Sequence, residues 1–282
     1  MKDFVIIENG DLKAKILLPE NHRYKRTRFN HSGFISEVWY KGEKYTHYER
    51  SLNTGFVTTE GSGLCSQYEY NLIPENGEEF IRIGVGVMTK SQKDESYKAL
   101  NYELEISENK VIIKAFTPLV GGFAYNEIRE IYIENNELTE KITLINVGNK
   151  DIVTEEYCHN FISLPNEDIS PNLILKVPVI KNPHNTVDGD FYYDEFLNAF
   201  TFKDYPNVPY YVKFPEVTKS ETAWILKSKI NNKSISEKID FTPSRVAIWG
   251  YYYTVCCEIF KGIHLKPSES EVWSRRYSFE NE

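Results

Sequence analysis

The stretch Leu100-Asn101-Tyr102-Glu103-Leu104-Glu105-Ile106-Ser107 alternates apolar and polar side chains without a break. In an extended chain successive side chains point to opposite faces, so this is a half-buried strand with one wet face. The pattern recurs downstream. Leu138, Ile142 and Leu144 share one parity, and so do Trp273, Tyr277 and Phe279 near the end of the chain. Turn signals stand between such runs, at Glu75-Asn76-Gly77, Val147-Gly148-Asn149-Lys150 and Asp188-Gly189-Asp190. A helical period never persists beyond a few residues. These spacings predict an all-β chain folded as a large antiparallel β-sandwich. No linker, repeat or charge block divides the sequence, so residues 1–282 are expected to form a single domain. Residues 81–88, which contain Gly84 and Gly86, read as one strand whose glycines mark a bend or a close backbone approach. The longest irregular parts are residues 165–171, 181–190 and the proline-spaced 205–215.

Composition supports a packed core. Of 282 residues, 41% are hydrophobic and 14% aromatic, which disfavours disorder. A net charge of −8 argues against nucleic acid and against an anionic membrane surface as partners. The opening run Phe4-Val5-Ile6-Ile7 is too short for a signal peptide, and the near-uncharged residues 246–257 fall short of the ~20 a membrane helix needs. A cytoplasmic location is therefore expected. Cys65, Cys158, Cys256 and Cys257 contain no Cys-x-x-Cys pair and match no zinc spacing, so they read as buried reduced thiols.

Two strand-like runs carry groups that are costly to bury. Glu155-Glu156-Tyr157-Cys158-His159-Asn160-Phe161-Ile162-Ser163-Leu164 places an imidazole in an aromatic and aliphatic run. Tyr253-Thr254-Val255-Cys256-Cys257-Glu258-Ile259-Phe260 does the same with a carboxylate. One imidazole and one carboxylate are the minimum set for proton-transfer chemistry. Each also has a plainer reading. His159 can be a hydrogen-bonded core histidine, and Glu258 can pair with a structural arginine such as Arg245 or Arg275. Strand parity puts Cys256, Glu258 and Phe260 on one face.

The order of these runs, followed by Ile263-His264-Leu265-Lys266-Pro267-Ser268-Glu269-Ser270-Glu271-Val272-Trp273, resembles the galactose mutarotase-like (aldose 1-epimerase) superfamily. There a late strand carries a Glu and is followed by a Leu-x-Pro-Gly-Glu turn, in which Ser268 here replaces the glycine. Arg28-Phe29-Asn30-His31-Ser32-Gly33-Phe34-Ile35-Ser36 looks like that family's early hairpin. The resemblance covers roughly the whole chain. It implies a supersandwich fold and an isomerase that opens a sugar ring, with Glu258 as general base and His159 as general acid on opposite flanks of the sugar. It implies no metal and no organic cofactor, and a small-molecule carbohydrate as partner. Arg28, Glu69, Arg82, Asn160 and Trp249 are the substrate-binding candidates, with Tyr251 as a further stacking surface.

One departure is clear. The family carries an Asn-Arg-Ile-type segment and a second His in the N-terminal half, whereas residues 58–70 have neither Arg nor His. That departure keeps a non-catalytic carbohydrate-binding protein in view. The basic group Arg23, Lys25, Arg26 and Arg28 reads either as a solvated loop or as a contact for a phosphorylated hexose. His31 and His184 are expected at the surface of loops.

Overall fold

Alternation in sequence becomes alternation in burial along the long strands. The computed structural model describes residues 2–50, 57–90 and 97–281. In Lys110–Phe116 and Tyr125–Glu134, buried and half-buried residues strictly alternate over nearly the whole length. Leu138, Ile142, Leu144, Trp273, Tyr277 and Phe279 are all buried, as their shared parities require. Asn101–Ile106 is a strand at the sheet edge, half-buried at Tyr102 and Leu104. Among the described residues the helical content is a single 3-10 turn, Pro19–Asn21.

Among the described residues the strands form two large antiparallel sheets and a small one. The first runs Phe4–Asn9, Leu12–Leu17, Phe34–Tyr40, Leu64–Tyr68, Ile152–Asn160, Thr254–Leu265, Arg245–Tyr251 and Tyr210–Phe214 in spatial order, with Glu43–Lys44 beside Phe34–Tyr40. The second has eleven strands, with Ser270–Glu280 between Ser234–Ile239 and Glu137–Asn146. Their inner faces share one hydrophobic cluster, with Ile16, Val38 and Ile248 from the first sheet and Ile131, Trp224 and Trp273 from the second. This is a β-sandwich, as the spacing predicts. Its core is formed by side chains of one parity from each sheet.

Two local expectations change. Residues 81–88 are a hairpin, not one strand: Glu79–Arg82 pairs with Gly86–Thr89. Gly84 sits at the turn with φ +74°, where a Cβ would collide with the Asn30 side chain, so both the angle and the close approach require glycine there. The proline-spaced residues 205–215 contain Tyr210–Phe214, which closes one edge of the first sheet and buries Tyr210 and Phe214.

An ionic layer crosses the core. Arg129 bonds Glu127 at 3.1 Å, Glu140 at 2.5 Å and, on the facing sheet, Ser66 Oγ at 2.7 Å. Arg275 bonds Glu156 and Glu237, each at 2.8 Å. Two guanidinium groups thus serve four buried carboxylates. Full ionisation would leave net negative charge in a medium that solvates it poorly. Burial accordingly raises the Glu140 carboxyl to about 7 and pushes Glu237 up as well, each only partly opposed by its arginine. Neither Arg245 nor Arg275 reaches Glu258: Arg245 pairs with Glu155 and Glu69.

Candidate active site

The outer face of the first sheet carries the site. Ile152–Asn160 and Thr254–Leu265 pair antiparallel, with Ile152 opposite Leu265 and Glu156 opposite Lys261. The same register returns further on, where Ile162 and Val255 exchange both backbone bonds. Between these two points the backbone ladder is interrupted, and there the register sets His159 opposite Glu258. Their side chains meet directly, with His159 Nδ1 2.8 Å from Glu258 Oε1. Both are almost completely buried, so the pair is shielded from bulk water at all but one side.

That side is a cavity of about 300 Å³ lined by Arg28, Glu49, Arg50, Tyr157, His159, Phe161, Tyr211, Trp249 and Glu258. Phe161 stacks on the His159 ring at 5.5 Å between centroids, and Phe29 and Tyr157 approach it at 5.2 and 5.1 Å. This aromatic cage fixes the ring plane. The two ring nitrogens then have separate partners: Nδ1 faces Glu258, and Nε2 lies 3.3 Å from an Arg28 Nη. A neutral ring with its proton on Nδ1 satisfies both contacts, donating to the carboxylate and accepting from the guanidinium.

Arg28 is held in turn by Glu49 at 2.6 Å. Burial raises the Glu49 carboxyl, but the Arg28 charge and the Gly61 N–H donated to Glu49 Oε2 at 3.1 Å outweigh it and hold that carboxyl low. Burial lowers Arg28, and Glu49 more than compensates, so the guanidinium is held more firmly charged than usual. Burial, then the Glu258 charge, push the Tyr157 and Tyr211 phenols up, so both remain hydrogen-bond donors. Cys256 lies beneath the pair, its Sγ 3.5 Å from His159 Nδ1 and 3.7 Å from Glu258 Oε1. Burial holds its thiol well above the ordinary value.

Of the residues singled out from sequence, His159, Glu258, Arg28 and Trp249 line this cavity. Asn160 does not. It has the opposite parity to His159, and its amide donates to the Cys257 carbonyl at 2.7 Å while its oxygen accepts from Tyr277. Arg82 lies behind the wall, donating to the carbonyls of Thr27 and Arg28 at 3.1 and 2.8 Å, so it braces the segment that presents Arg28. Glu69 is taken up by Arg245, and Tyr251 packs on Tyr252. His31 is in an irregular segment but buried, stacked on His22 at 4.3 Å, and burial lowers it to about 4. His184 is exposed beside Glu195. The opposite-flank arrangement expected for His159 and Glu258 gives way to direct contact.

Glu49, Arg50, Tyr157, Phe161 and Tyr211 complete the surroundings without having been singled out, and Cys256 joins them on the face that strand parity shares with Glu258. Tyr157 and Phe161 share the parity of His159, which would have placed them on its face. Glu49 and Arg50 lie in a polar loop with no pattern to mark them.

No protein-family model matches the chain, and no curated protein matches it. Solved structures do. A galactose mutarotase related enzyme from Lactobacillus acidophilus superposes with a TM-score of 0.62 at 12% identity, over 99% of this chain and 97% of that one. A galactose mutarotase-like protein from Lactobacillus casei gives 0.60 at 13% identity, over 98% and 100%. A galactose 1-epimerase from Lactobacillus acidophilus gives 0.54 at 12% identity, over 98% and 94%. The chain therefore has the galactose mutarotase-like fold over essentially its whole length.

Proposed function

We propose that this galactose mutarotase-like fold carries an aldose 1-epimerase-type activity, interconverting the anomers of a small sugar by acid–base ring opening. The observation that supports it is the 2.8 Å contact between His159 Nδ1 and Glu258 Oε1 at the wall of a cavity otherwise lined by aromatic rings, Arg50 and the Arg28–Glu49 pair. A volume of about 300 Å³ lies at the low end for small-molecule sites, which suits one monosaccharide ring better than an oligosaccharide.

Ring opening takes a proton from the anomeric hydroxyl and gives one to the ring oxygen. Both oxygens are bonded to the same carbon, so the base and the acid need only be neighbours. Glu258, as carboxylate, accepts the hydroxyl proton. The bond between the anomeric carbon and the ring oxygen breaks, its electron pair stays on that oxygen, and His159, entering the step as imidazolium with a proton on each ring nitrogen, gives its Nδ1 proton there and returns to the neutral ring. The aldehyde rotates about one carbon–carbon bond, and reversal of both transfers closes the other anomer. Before this step Arg28 turns its Nη donor from Nε2 to a sugar oxygen, and the freed Nε2 takes up a proton from solvent, which makes the ring the imidazolium that the step needs. Trp249 and the donor phenols of Tyr157 and Tyr211 bind the sugar face and its hydroxyls. Groups so placed typically contribute about 10²–10⁴-fold each.

Polarimetry or exchange NMR across a panel of free sugars tests this. Acceleration by the wild-type chain that is lost in Glu258→Gln is the expected result. A panel in which no sugar is accelerated, or in which Glu258→Gln matches wild type, would sink the reading. A phosphorylated hexose is a second possibility, favoured by Arg50, which adds a second cation to the cavity beside Arg28. Equal affinity for a sugar and its phosphate would count against it. Sugar binding without any rate effect would leave a carbohydrate-binding protein.

A further inference from the structure

Three unlike donor atoms converge under the cavity: His159 Nδ1, Glu258 Oε1 and Cys256 Sγ, all within 4.8 Å of one another and all on buried residues. From this geometry we infer that the triad is a binding site for a soft divalent cation of the Zn²⁺ class, which displaces a proton and blocks the sugar chemistry reversibly.

The distances support it. Zinc bonds of about 2.3 Å to sulfur and about 2.0–2.1 Å to nitrogen and oxygen give tetrahedral edges of roughly 3.5 Å for sulfur to nitrogen and sulfur to oxygen, and roughly 3.3 Å for nitrogen to oxygen. The observed separations are 3.5 Å from Sγ to Nδ1, 3.7 Å from Sγ to Oε1 and 2.8 Å from Nδ1 to Oε1. Two edges already match. The third opens by about half an ångström when the hydrogen bond it holds is replaced by two bonds to metal. Sequence contributes the arrangement simply: Cys256 and Glu258 are two apart on one strand, so they share a face, and the strand register brings His159 opposite.

Charge and ligand type agree. A carboxylate and a thiolate neutralise a divalent ion, which a buried site requires. A nitrogen, a sulfur and an oxygen donor favour zinc and its tetrahedral analogues over magnesium or calcium. Binding breaks the Cys256 S–H bond and releases that proton to solvent. The imidazole moves its single proton from Nδ1 to Nε2, and Arg28 turns away from Nε2. His159 and Glu258 line the cavity and Cys256 does not, so the fourth coordination position faces the cavity. A metal there occupies the two atoms that the proposed ring opening uses. The binding site itself stands whether or not a sugar is the substrate.

The test uses the full-length protein and the metals alone. Zn²⁺ is titrated calorimetrically, and Co²⁺ is titrated spectroscopically as a tetrahedral reporter whose near-ultraviolet charge-transfer band appears only with a thiolate ligand. One ion per chain with that band is expected. Cys256→Ser should abolish the band and weaken Zn²⁺ at least about tenfold, while the unliganded protein stays folded by circular dichroism. Glu258→Gln should weaken Zn²⁺ by a similar factor and keep the band, which preserves the test should the serine variant fail to fold. Absence of Zn²⁺ binding, a Co²⁺ complex without the thiolate band, or unchanged affinity in either variant overturns the inference. Loss of sugar activity alone bears on the proposed reaction and leaves the metal result independent.

Discussion

The Asn160 side-chain amide donates to the Cys257 carbonyl at 2.7 Å, inside the gap where Ile152–Asn160 and Thr254–Leu265 stop exchanging backbone bonds. A side chain thus takes over a rung of the ladder. The gap lets His159 and Glu258 meet, and the amide keeps the two strands from separating further. Asn160→Ala strands the buried Cys257 carbonyl and leaves the Tyr277 hydroxyl with Glu237 alone at 3.4 Å, so it should cost about 1–3 kcal/mol in a urea melt. It should also lower any sugar-isomerase rate without abolishing sugar binding. A variant as stable as wild type would show that the amide is not holding the gap.

Glu258→Gln keeps the shape of the pair and removes the base. Under the proposed chemistry the turnover rate should fall by about 10²–10⁴-fold, with sugar affinity changed only a few-fold. Single-turnover anomer exchange and binding isotherms on the same preparation separate these two effects. A parallel loss of both would assign Glu258 to binding.

Arg28 and Glu49 form the support behind Nε2. Glu49 has its carboxyl held low in the folded chain by Arg28, so this group adds stability above its ordinary unfolded value, and the contribution disappears as pH falls through the folded one. Glu49→Gln should therefore flatten the acid limb of the stability profile below about pH 5 relative to wild type. The same variant should loosen Arg28 and raise the KM for a sugar. Superimposable acid limbs would argue that the pair is not intact in solution.

The ionic layer predicts the opposite slope. Glu140 has a folded value of about 7, above its ordinary 4.5, so its contribution is complete below the unfolded value and is lost as pH rises through the folded one. Measured against Glu140→Gln, wild type should lose up to about 3 kcal/mol of stability between pH 4.5 and 7. Denaturant melts of both proteins at half-unit pH steps provide the comparison. A pH-independent difference would mean that Arg129 keeps Glu140 ionised throughout.

Ser268 occupies the turn into the last strand at φ +70°, a left-handed conformation that glycine adopts freely. Ser268→Gly relieves that strain and adds chain entropy to the unfolded state, with a net gain of roughly 0.5–1 kcal/mol. A thermal melt showing destabilisation would place the Ser268 side chain in a contact that outweighs the backbone angle.

Much of the fold was legible because alternation is a local property of an extended chain. Leu138, Ile142, Leu144, Trp273 and Tyr277 each declare their face by parity with neighbours a few residues away. The ionic layer was not legible for the same reason. In Tyr125–Glu134, Glu127 and Arg129 lie on the buried face, and nothing within the strand says that Ser66 and Glu140 will satisfy Arg129 or that Tyr68 will donate to Glu127. Asn160 and His159 are adjacent in sequence, yet parity sends one into the core and the other into the cavity.

His159 and Glu258 stood out because an ionisable group in an apolar run carries a desolvation cost that a composition window can register. Their partners Arg28 and Glu49 carry no such mark, since charged residues in polar loops are ordinary. Chain alone could set strand identity, facing and the oddity of two buried groups, because each depends on neighbours within a few residues. Only the folded sheets could decide that an imidazole, a carboxylate, a thiol and a guanidinium from three distant segments would touch, because that depends on strand register and on where the ladder opens.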